Sequence, residues 1–120
     1  MRIGILGQGF AGTALAWHAH WAGYEVHLFD RGQQDGASWV AAGLVNPIVL
    51  KRKRLVHEAH HHVIAMDAFY ARVANELSTS LFFPGPVHEL LPDTASVRAW
   101  EDLGLEASFA PFIGPLYDLP

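Results

Sequence analysis

The amino-acid sequence predicts an α/β fold that begins with a β-strand, a helix and a second, parallel strand. Residues 2–6 form an apolar run typical of a buried strand, and residues 10–22 are rich in alanine and other residues that favour a helix. Gly23 follows the helical segment and tolerates the left-handed backbone with which many helices end. A second apolar run over residues 25–29 predicts the strand that returns parallel to the first.

The turn between the first strand and the helix has the spacing G-x-G-x-x-G over residues 7–12. Gly7 is expected to make the tight turn, Gly9 to let backbone N–H groups approach a diphosphate, and Gly12 to let the helix pack on the sheet. The N-terminus of the helix adds unpaired N–H groups and the positive end of its dipole. The pattern therefore predicts a Rossmann-like βαβ domain that binds FAD or NAD(P).

Asp30 follows the second strand and supplies the acid that this pattern requires roughly 20 residues after its glycines. Its carboxylate is expected to accept hydrogen bonds from the hydroxyl groups of an adenosine ribose. The same negative charge would repel a 2′-phosphate, so NADP is disfavoured despite the neighbouring Arg31.

The 120-residue chain carries a formal net charge of −4 and no cysteine. A net acidic surface disfavours nucleic acid or an anionic membrane as the main partner. Without cysteine, the chain has no disulfide, no thiolate metal site and no cysteine nucleophile. No apolar run approaches about 18 residues, so we expect no integral membrane segment and a cytoplasmic location.

The middle of the chain combines an irregular stretch with a long helix. Residues 30–55 show no periodicity, and the low charge of residues 36–50 indicates that this part lines a site rather than being disordered. In residues 55–77, apolar side chains recur with alternating gaps of three and four. This spacing predicts one helix with one stripe packed on the core.

The last part of the chain is expected to leave the nucleotide-binding sheet. Residues 81–83 and 87–91 have the composition of two short strands around a proline-rich turn. A short helix should follow, capped by Thr94 or Ser96 and ended by Gly104.

Residues 38–47, which read Ser-Trp-Val-Ala-Ala-Gly-Leu-Val-Asn-Pro, resemble a cofactor-binding segment of the FAD-dependent oxidoreductases typified by D-amino-acid oxidase and glycine oxidase. In that family the segment runs past the diphosphate and along the isoalloxazine ring. The glycine turn, the pair Asp30-Arg31, this segment and the long helix follow one another in the family's order. The resemblance thus extends along nearly the whole chain.

The resemblance implies a division into an FAD-binding Rossmann-like portion, residues 1–78, and the start of a substrate domain, residues 79–120. Because family members are several times longer, we expect the chain to correspond to an N-terminal portion with an incomplete nucleotide-binding domain. Unpaired strand edges in such a portion should promote self-association.

The function implied by the resemblance is oxidation of a C–N bond in an amine or amino acid. Hydride would leave the carbon next to a neutral amine for flavin N5, so the cofactor performs the chemistry and the protein orients it. No catalytic acid or base is assigned within these residues. The cofactor-binding residues expected from the glycine pattern and the resemblance are Gly7, Gly9, Phe10, Ala11, Gly12, Asp30, Arg31, Ser38, Trp39, Ala41, Ala42, Gly43, Leu44 and Asn46.

Residues 57–61 spell HExxH, the motif in which two histidines on one helical face hold zinc. The predicted helix would place His57 and His61 on one face, but a site also needs a third ligand. The near candidates are Glu76 and His88. At 1.5 Å per residue, Glu76 would lie roughly 22 Å from His61 along the same helix, too far to bind the same metal ion. We therefore expect no metal site and interpret the histidines as a solvated face.

Two other functions fit the glycine pattern. An NAD-dependent dehydrogenase domain would place a third strand soon after Pro47, where the sequence instead predicts a long helix. A non-catalytic nucleotide-binding or interaction module would apply if the chain were complete, with the substrate half supplied by a partner or absent.

Overall fold

The computed structural model describes residues 1–32 and 36–117, which form two compact units, Met1–Val45 and Asn46–Pro120. The parts of the predicted irregular stretch and of the predicted substrate domain that fall on residues 33–35 and 118–120 lie outside the described residues. In the described ranges, none of the helices combines the length and hydropathy needed to cross a bilayer.

The first unit is a β-α-β arrangement. Strand β1, Arg2–Leu6, pairs in parallel with strand β2, Glu25–Phe29, and helix α1, Phe10–Trp21, connects them. A one-turn helix, α2, spans Ala37–Val40. Ile5 on β1 is buried, as is Ala19 on α1. Both predicted strands and the connecting helix are confirmed.

The end of α1 also follows the sequence. Gly23 has a φ of +80°, and its N–H donates to the carbonyl oxygen of His20 at 2.9 Å. A left-handed glycine just beyond the helix satisfies one of the carbonyl groups that the last turn leaves unpaired. This geometry lets the chain turn directly into β2.

The second unit opens with a short hairpin that the sequence did not predict. Strand β3, Ile48–Val49, pairs antiparallel with strand β4, Arg54–Leu55, around a 3-10 turn and a left-handed Lys53. Ile48 is buried in this hairpin. The expectation that residues 30–55 are irregular throughout is therefore wrong, and so is the expectation of a helix from residue 55.

The long helix, α3, spans Ala59–Leu77. It begins later than predicted because Leu55 is paired with Ile48 and because Glu58 has a left-handed backbone with a φ of 50°. From Ala59 onwards the predicted stripe is confirmed, since Ala59 and Val73 are buried. The stripe fades at Leu77, which is half exposed at the C-terminus.

Residues 81–83 and 87–91 form no strand within the described chain, so the two predicted strands are wrong. Phe82 instead stacks on Tyr70 of α3, with ring centroids 5.8 Å apart and an interplanar angle of 14°. Between the two segments, Pro84 and Pro86 lack the N–H groups that a ladder needs. At Phe82, side-chain packing on the helix takes the place of strand pairing.

Helix α4 spans Thr94–Leu105, and its cap is Asp93 rather than Thr94 or Ser96. The N–H of Ser96 donates to Oδ1 of Asp93 at 2.7 Å, and this hydrogen bond lowers the pKa of the Asp93 carboxyl. Gly104 does not end the helix as predicted but lies within its last turn. The residue that ends the helix, Glu106, has an extended backbone with a φ of −76°, so this helix end does not use a left-handed glycine.

Replacing Val73 by alanine is expected to lower the free energy of unfolding by about 2 kcal/mol, because the change removes buried methyl groups and leaves a cavity. Val73 is only 3% exposed, whereas Ile64 on the same helix is 67% exposed. Ile64→Ala is therefore the matched control and should change stability by less than about 0.5 kcal/mol. Urea unfolding followed by circular dichroism measures both, and equal losses would contradict the buried stripe.

Candidate functional site

The glycine turn follows β1 directly and is held by the neighbouring strand. Gly7 has a φ of +93°, a conformation that side chains other than glycine rarely adopt. Its N–H donates to the carbonyl oxygen of Phe29 at 2.8 Å, which extends the hydrogen bonding of the parallel pair by one residue. Gly7 thus makes the tight turn that the sequence predicts.

Gly12 lies where α1 comes closest to the turn. A Cβ at this position would overlap the carbonyl oxygen of Gly7, and it would also lie 3.6 Å from Cγ2 of Ile5 on β1. The missing side chain therefore permits two approaches, one to the turn and one to the strand. The predicted contact between helix and sheet is present. The approach of Gly12 to the Gly7 carbonyl oxygen is closer, however, and is what excludes a side chain at position 12.

Ser38 contacts the start of α1 although it lies 28 residues after Phe10 in the sequence. It belongs to the one-turn helix α2, Ala37–Val40, and its Oγ accepts a hydrogen bond from the N–H of Phe10 at 2.9 Å. The same Oγ would lie 3.2 Å from a Cβ built on Gly9. The structure thus brings Ser38, Gly9 and Phe10 together, a contact between residues that the sequence analysis named separately.

Asp30 joins both sides of the turn through its carboxylate. Oδ2 accepts from the N–H of Gln8 and Oδ1 from the N–H of Gly32, each at 2.7 Å. The hydrogen bond from Gln8 contributes most to lowering the pKa of Asp30, followed by that from Gly32, with a smaller contribution from the charge of Arg31. Each carboxylate oxygen keeps a second lone pair that can accept from a ligand hydroxyl.

Gln8 is a site residue that the sequence analysis missed. Its contribution is a backbone N–H, which any residue type except proline would provide, so the letter at position 8 carries no signal. The position itself, between two fingerprint glycines, was the available clue.

Some N–H groups of the turn have no acceptor among the described residues and can bind an anion. Those of Gly7, Gln8 and Phe10 have protein acceptors. Those of Gly9 and Ala11 have no acceptor among residues 1–32 and 36–117. Because they lie at the positive end of the α1 dipole, they can donate to phosphate oxygens.

The segment after Ser38 is exposed and apolar. Trp39, Val40 and Leu44 are 64%, 74% and 76% exposed, respectively. Ala41 and Ala42 are exposed as well, and Gly43 has a φ of +68°. Such a run of exposed apolar side chains is the kind of surface that a ligand or partner covers.

Arg31 and Asn46, two further predicted cofactor-binding residues, belong to different units. Arg31 is exposed beside Asp30. Asn46 belongs to the second unit, where its Oδ1 accepts from the N–H of Ile48 at 2.9 Å and fixes the entry into the β3–β4 hairpin. This local role is one that asparagine commonly fills at turns.

The HExxH segment does not adopt the helical geometry of a zinc site. Because α3 begins at Ala59, His57 lies before the helix, so the predicted shared face with His61 is wrong. His60 lies within hydrogen-bonding distance of the Ser108 carbonyl oxygen, with Nε2 at 3.0 Å, and its ring contacts Phe112. Within the described ranges, no group of three or more potential ligands could hold a metal ion.

Comparison with known families decides the class of this chain. A family model described as FAD dependent oxidoreductase matches residues 2–109. The chain belongs to the FAD-dependent oxidoreductase family. The match confirms the resemblance to the D-amino-acid oxidase and glycine oxidase type, and it makes FAD the cofactor. No solved structure matches this FAD-dependent oxidoreductase chain.

The residues of the turn fit the diphosphate of FAD. A Cβ at Gly12 would force α1 away from the turn, and the N–H groups of Gly9 and Ala11, which have no acceptor among the described residues, match the acceptor oxygens of a diphosphate. Asp30 keeps acceptor capacity for a ribose hydroxyl. This oxidoreductase chain therefore offers both N–H donors and a carboxylate acceptor, the two kinds of group that an adenine dinucleotide needs.

Replacing Asp30 by asparagine is expected to destabilise the first unit, because an amide has one acceptor oxygen for the N–H groups of Gln8 and Gly32. The pKa of Asp30 is lowered in the folded state, so its stabilising effect is present above the ordinary value of 3.8 and is lost as the pH falls through the folded value. Urea midpoints of wild type and Asp30→Asn should therefore converge in acid.

Asp102→Asn on α4 is the matched control, since it removes the same charge from an exposed aspartate. It should give a smaller difference from wild type above the ordinary pKa of Asp30. If Asp30→Asn and Asp102→Asn behave alike across the acidic range, the Asp30 hydrogen bonds do not stabilise the turn.

Proposed function

We propose that this chain is the FAD-binding part of an oxidoreductase that oxidises a C–N bond of an amine or amino acid. The observation that carries the proposal is the glycine turn with free N–H groups, found in a chain of the FAD-dependent oxidoreductase family. The parallel β-α-β unit supports a Rossmann-like domain as the setting of this turn.

The diphosphate of FAD lies, in this proposal, at the N-terminus of α1. Gly9 and Ala11 donate their N–H groups to it, Gly7 makes the turn, and Gly12 lets α1 start close to that turn. Phe10 directs its own N–H to Ser38, so the Ser38 hydroxyl proton is the group that reaches the phosphate oxygens from this side.

Asp30 holds the adenosine ribose in this proposal. Its lowered pKa keeps the carboxylate ionised, and an ionised carboxylate accepts from hydroxyl groups but repels a phosphate. Arg31, which is exposed beside Asp30, is proposed to contact the same end of the cofactor. The arrangement favours FAD over NADP, because the adenosine ribose of FAD carries free hydroxyls where NADP has a 2′-phosphate.

The apolar segment after Ser38 covers the remainder of the cofactor. Trp39, Ala41, Ala42, Gly43 and Leu44 are exposed, and burial of this apolar surface favours binding of a flat, largely apolar ring system. When bound, FAD supplies the hydride acceptor, and the side chains orient the ring and exclude water from it.

Asn46 is kept as a proposed cofactor-binding residue on the family resemblance alone. Within the second unit its Oδ1 accepts from the N–H of Ile48.

The open edges of β1 and β2 support self-association. In the described residues the two strands pair with each other and with no further strand. Leu6 is 87% exposed at the end of β1. Unpaired edges and exposed apolar ends favour association with further strands.

FAD binding is tested by adding FAD to the purified chain, removing the free cofactor and recording the absorption spectrum. Retained flavin bands, with ADP competing for the site, are the expected result. Gly12→Ala should weaken retention at least tenfold, because its side chain would overlap the Gly7 carbonyl oxygen. Gly85→Ala is the matched control, because a Cβ there meets nothing within 4 Å.

Protein that binds NAD and retains no flavin would contradict the FAD assignment. Failure to bind FAD, ADP and NAD would contradict the whole assignment of the glycine turn. Equal retention by Gly12→Ala and Gly85→Ala would place the cofactor elsewhere.

The substrate class is tested on the FAD-loaded protein under anaerobic conditions. Amino acids and secondary amines are expected to bleach the long-wavelength flavin absorption, because hydride from the carbon next to nitrogen reduces the ring. Matched 2-hydroxy acids, which carry oxygen in place of that nitrogen, should leave it unchanged. Bleaching by the hydroxy acids but not by the amines would contradict C–N oxidation.

A further inference from the structure

The start of α1 has no side-chain cap of its own. The N-cap position is Gly9, which has no side chain, and Phe10 is the first helical residue. The first N–H groups of any helix lack partners within the helix and need acceptors from elsewhere. Ser38 supplies the acceptor for Phe10 from 28 residues along the chain.

The backbone at position 9 does not require glycine. Gly9 has a φ of −73° and a ψ of −174°, an extended conformation that any residue adopts. The nearest atom to a Cβ built there is Oγ of Ser38, at 3.2 Å. A side chain at position 9 would therefore push Ser38 away and lengthen its 2.9 Å hydrogen bond with Phe10.

We propose that Ser38 is the N-terminal cap of α1 and that Gly9 lacks a side chain in order to admit it. Ser38 is in this sense a positioning residue, because its hydrogen bond holds the start of α2 against the start of α1 before any cofactor binds. The glycine pattern of the turn then serves a protein contact as well as a ligand.

This contact also prepares the cofactor segment, a consequence that rests on the proposed function. Residues 39–45 follow Ser38 directly, so fixing Ser38 fixes the point from which this apolar segment leaves the turn. Since Oγ accepts from Phe10, its proton remains for another acceptor. One hydroxyl thereby joins the helix N-terminus to the side on which a phosphate would bind.

A double-mutant cycle without cofactor tests the proposal. Gly9→Ala, Ser38→Ala and the double variant are unfolded in urea beside wild type. Loss of the cap in Ser38→Ala should lower the folding equilibrium constant about fivefold. Gly9→Ala should cost clearly less in the Ser38→Ala background than in wild type, because the two residues are in contact.

Additive costs, with Gly9→Ala equally harmful in both backgrounds, would overturn the proposal. Gly85→Ala combined with Ser38→Ala is the control pair and should be additive, because Gly85 has open space around it. If Gly9→Ala alone fails to fold, recovery of folding in the double variant would support the contact. Continued failure of the double variant would count against it.

Amide hydrogen exchange supplies a readout that general destabilisation does not reproduce. In Ser38→Ala the Phe10 amide should exchange at least severalfold faster relative to Ala19, which lies in the same helix. Ser38→Thr keeps the hydroxyl and should restore the protection of Phe10. Unchanged exchange at Phe10 in Ser38→Ala would overturn the proposal.

Because neither experiment contains FAD, the outcome is independent of cofactor binding. A coupled cycle in a protein that fails to bind FAD would keep the cap and reject the proposed function. An additive cycle in a protein that binds FAD would reject the cap and keep FAD binding at the proposed site.

Discussion

The close approach of Gly12 to the carbonyl oxygen of Gly7 is the constraint on which the first unit depends. A side chain at position 12 would separate α1 from the turn that ends β1. Without one, the helix begins at Phe10, after β1 has ended at Leu6. The first N–H groups of the helix therefore lie at the end of the parallel strand pair, where a diphosphate can meet them.

Two side chains from distant positions hold this short connection in shape. Asp30 binds the N–H of Gln8 across 22 residues, and Ser38 binds that of Phe10 across 28 residues. Both bonds form within the protein, so ordering of the turn accompanies folding rather than cofactor binding. A site whose backbone is ordered beforehand loses less conformational entropy when its ligand arrives.

The same turn combines a negatively charged side chain with N–H groups that can bind an anion. Asp30 stays ionised because Gln8 and Gly32 donate to it, while Gly9 and Ala11 keep their N–H groups for an anion. A negative side chain and a phosphate-binding helix terminus can thus lie close together in one cradle. That combination suits a ligand with a diphosphate and a neutral ribose, as FAD has, and it gives the FAD-dependent oxidoreductase family match a physical basis in this chain.

The sequence by itself determined β1, α1 and β2, because local apolar patterns and the spacing of the glycines predict these elements. It also named Asp30 and Ser38, but only the tertiary structure decided which N–H groups they bind, since no local pattern encodes contacts over 22 and 28 residues. The same reason explains the errors in the second unit. The start of α3 depends on strand pairing over residues 48–55, and residues 81–91 pair with no strand in the described part of the chain.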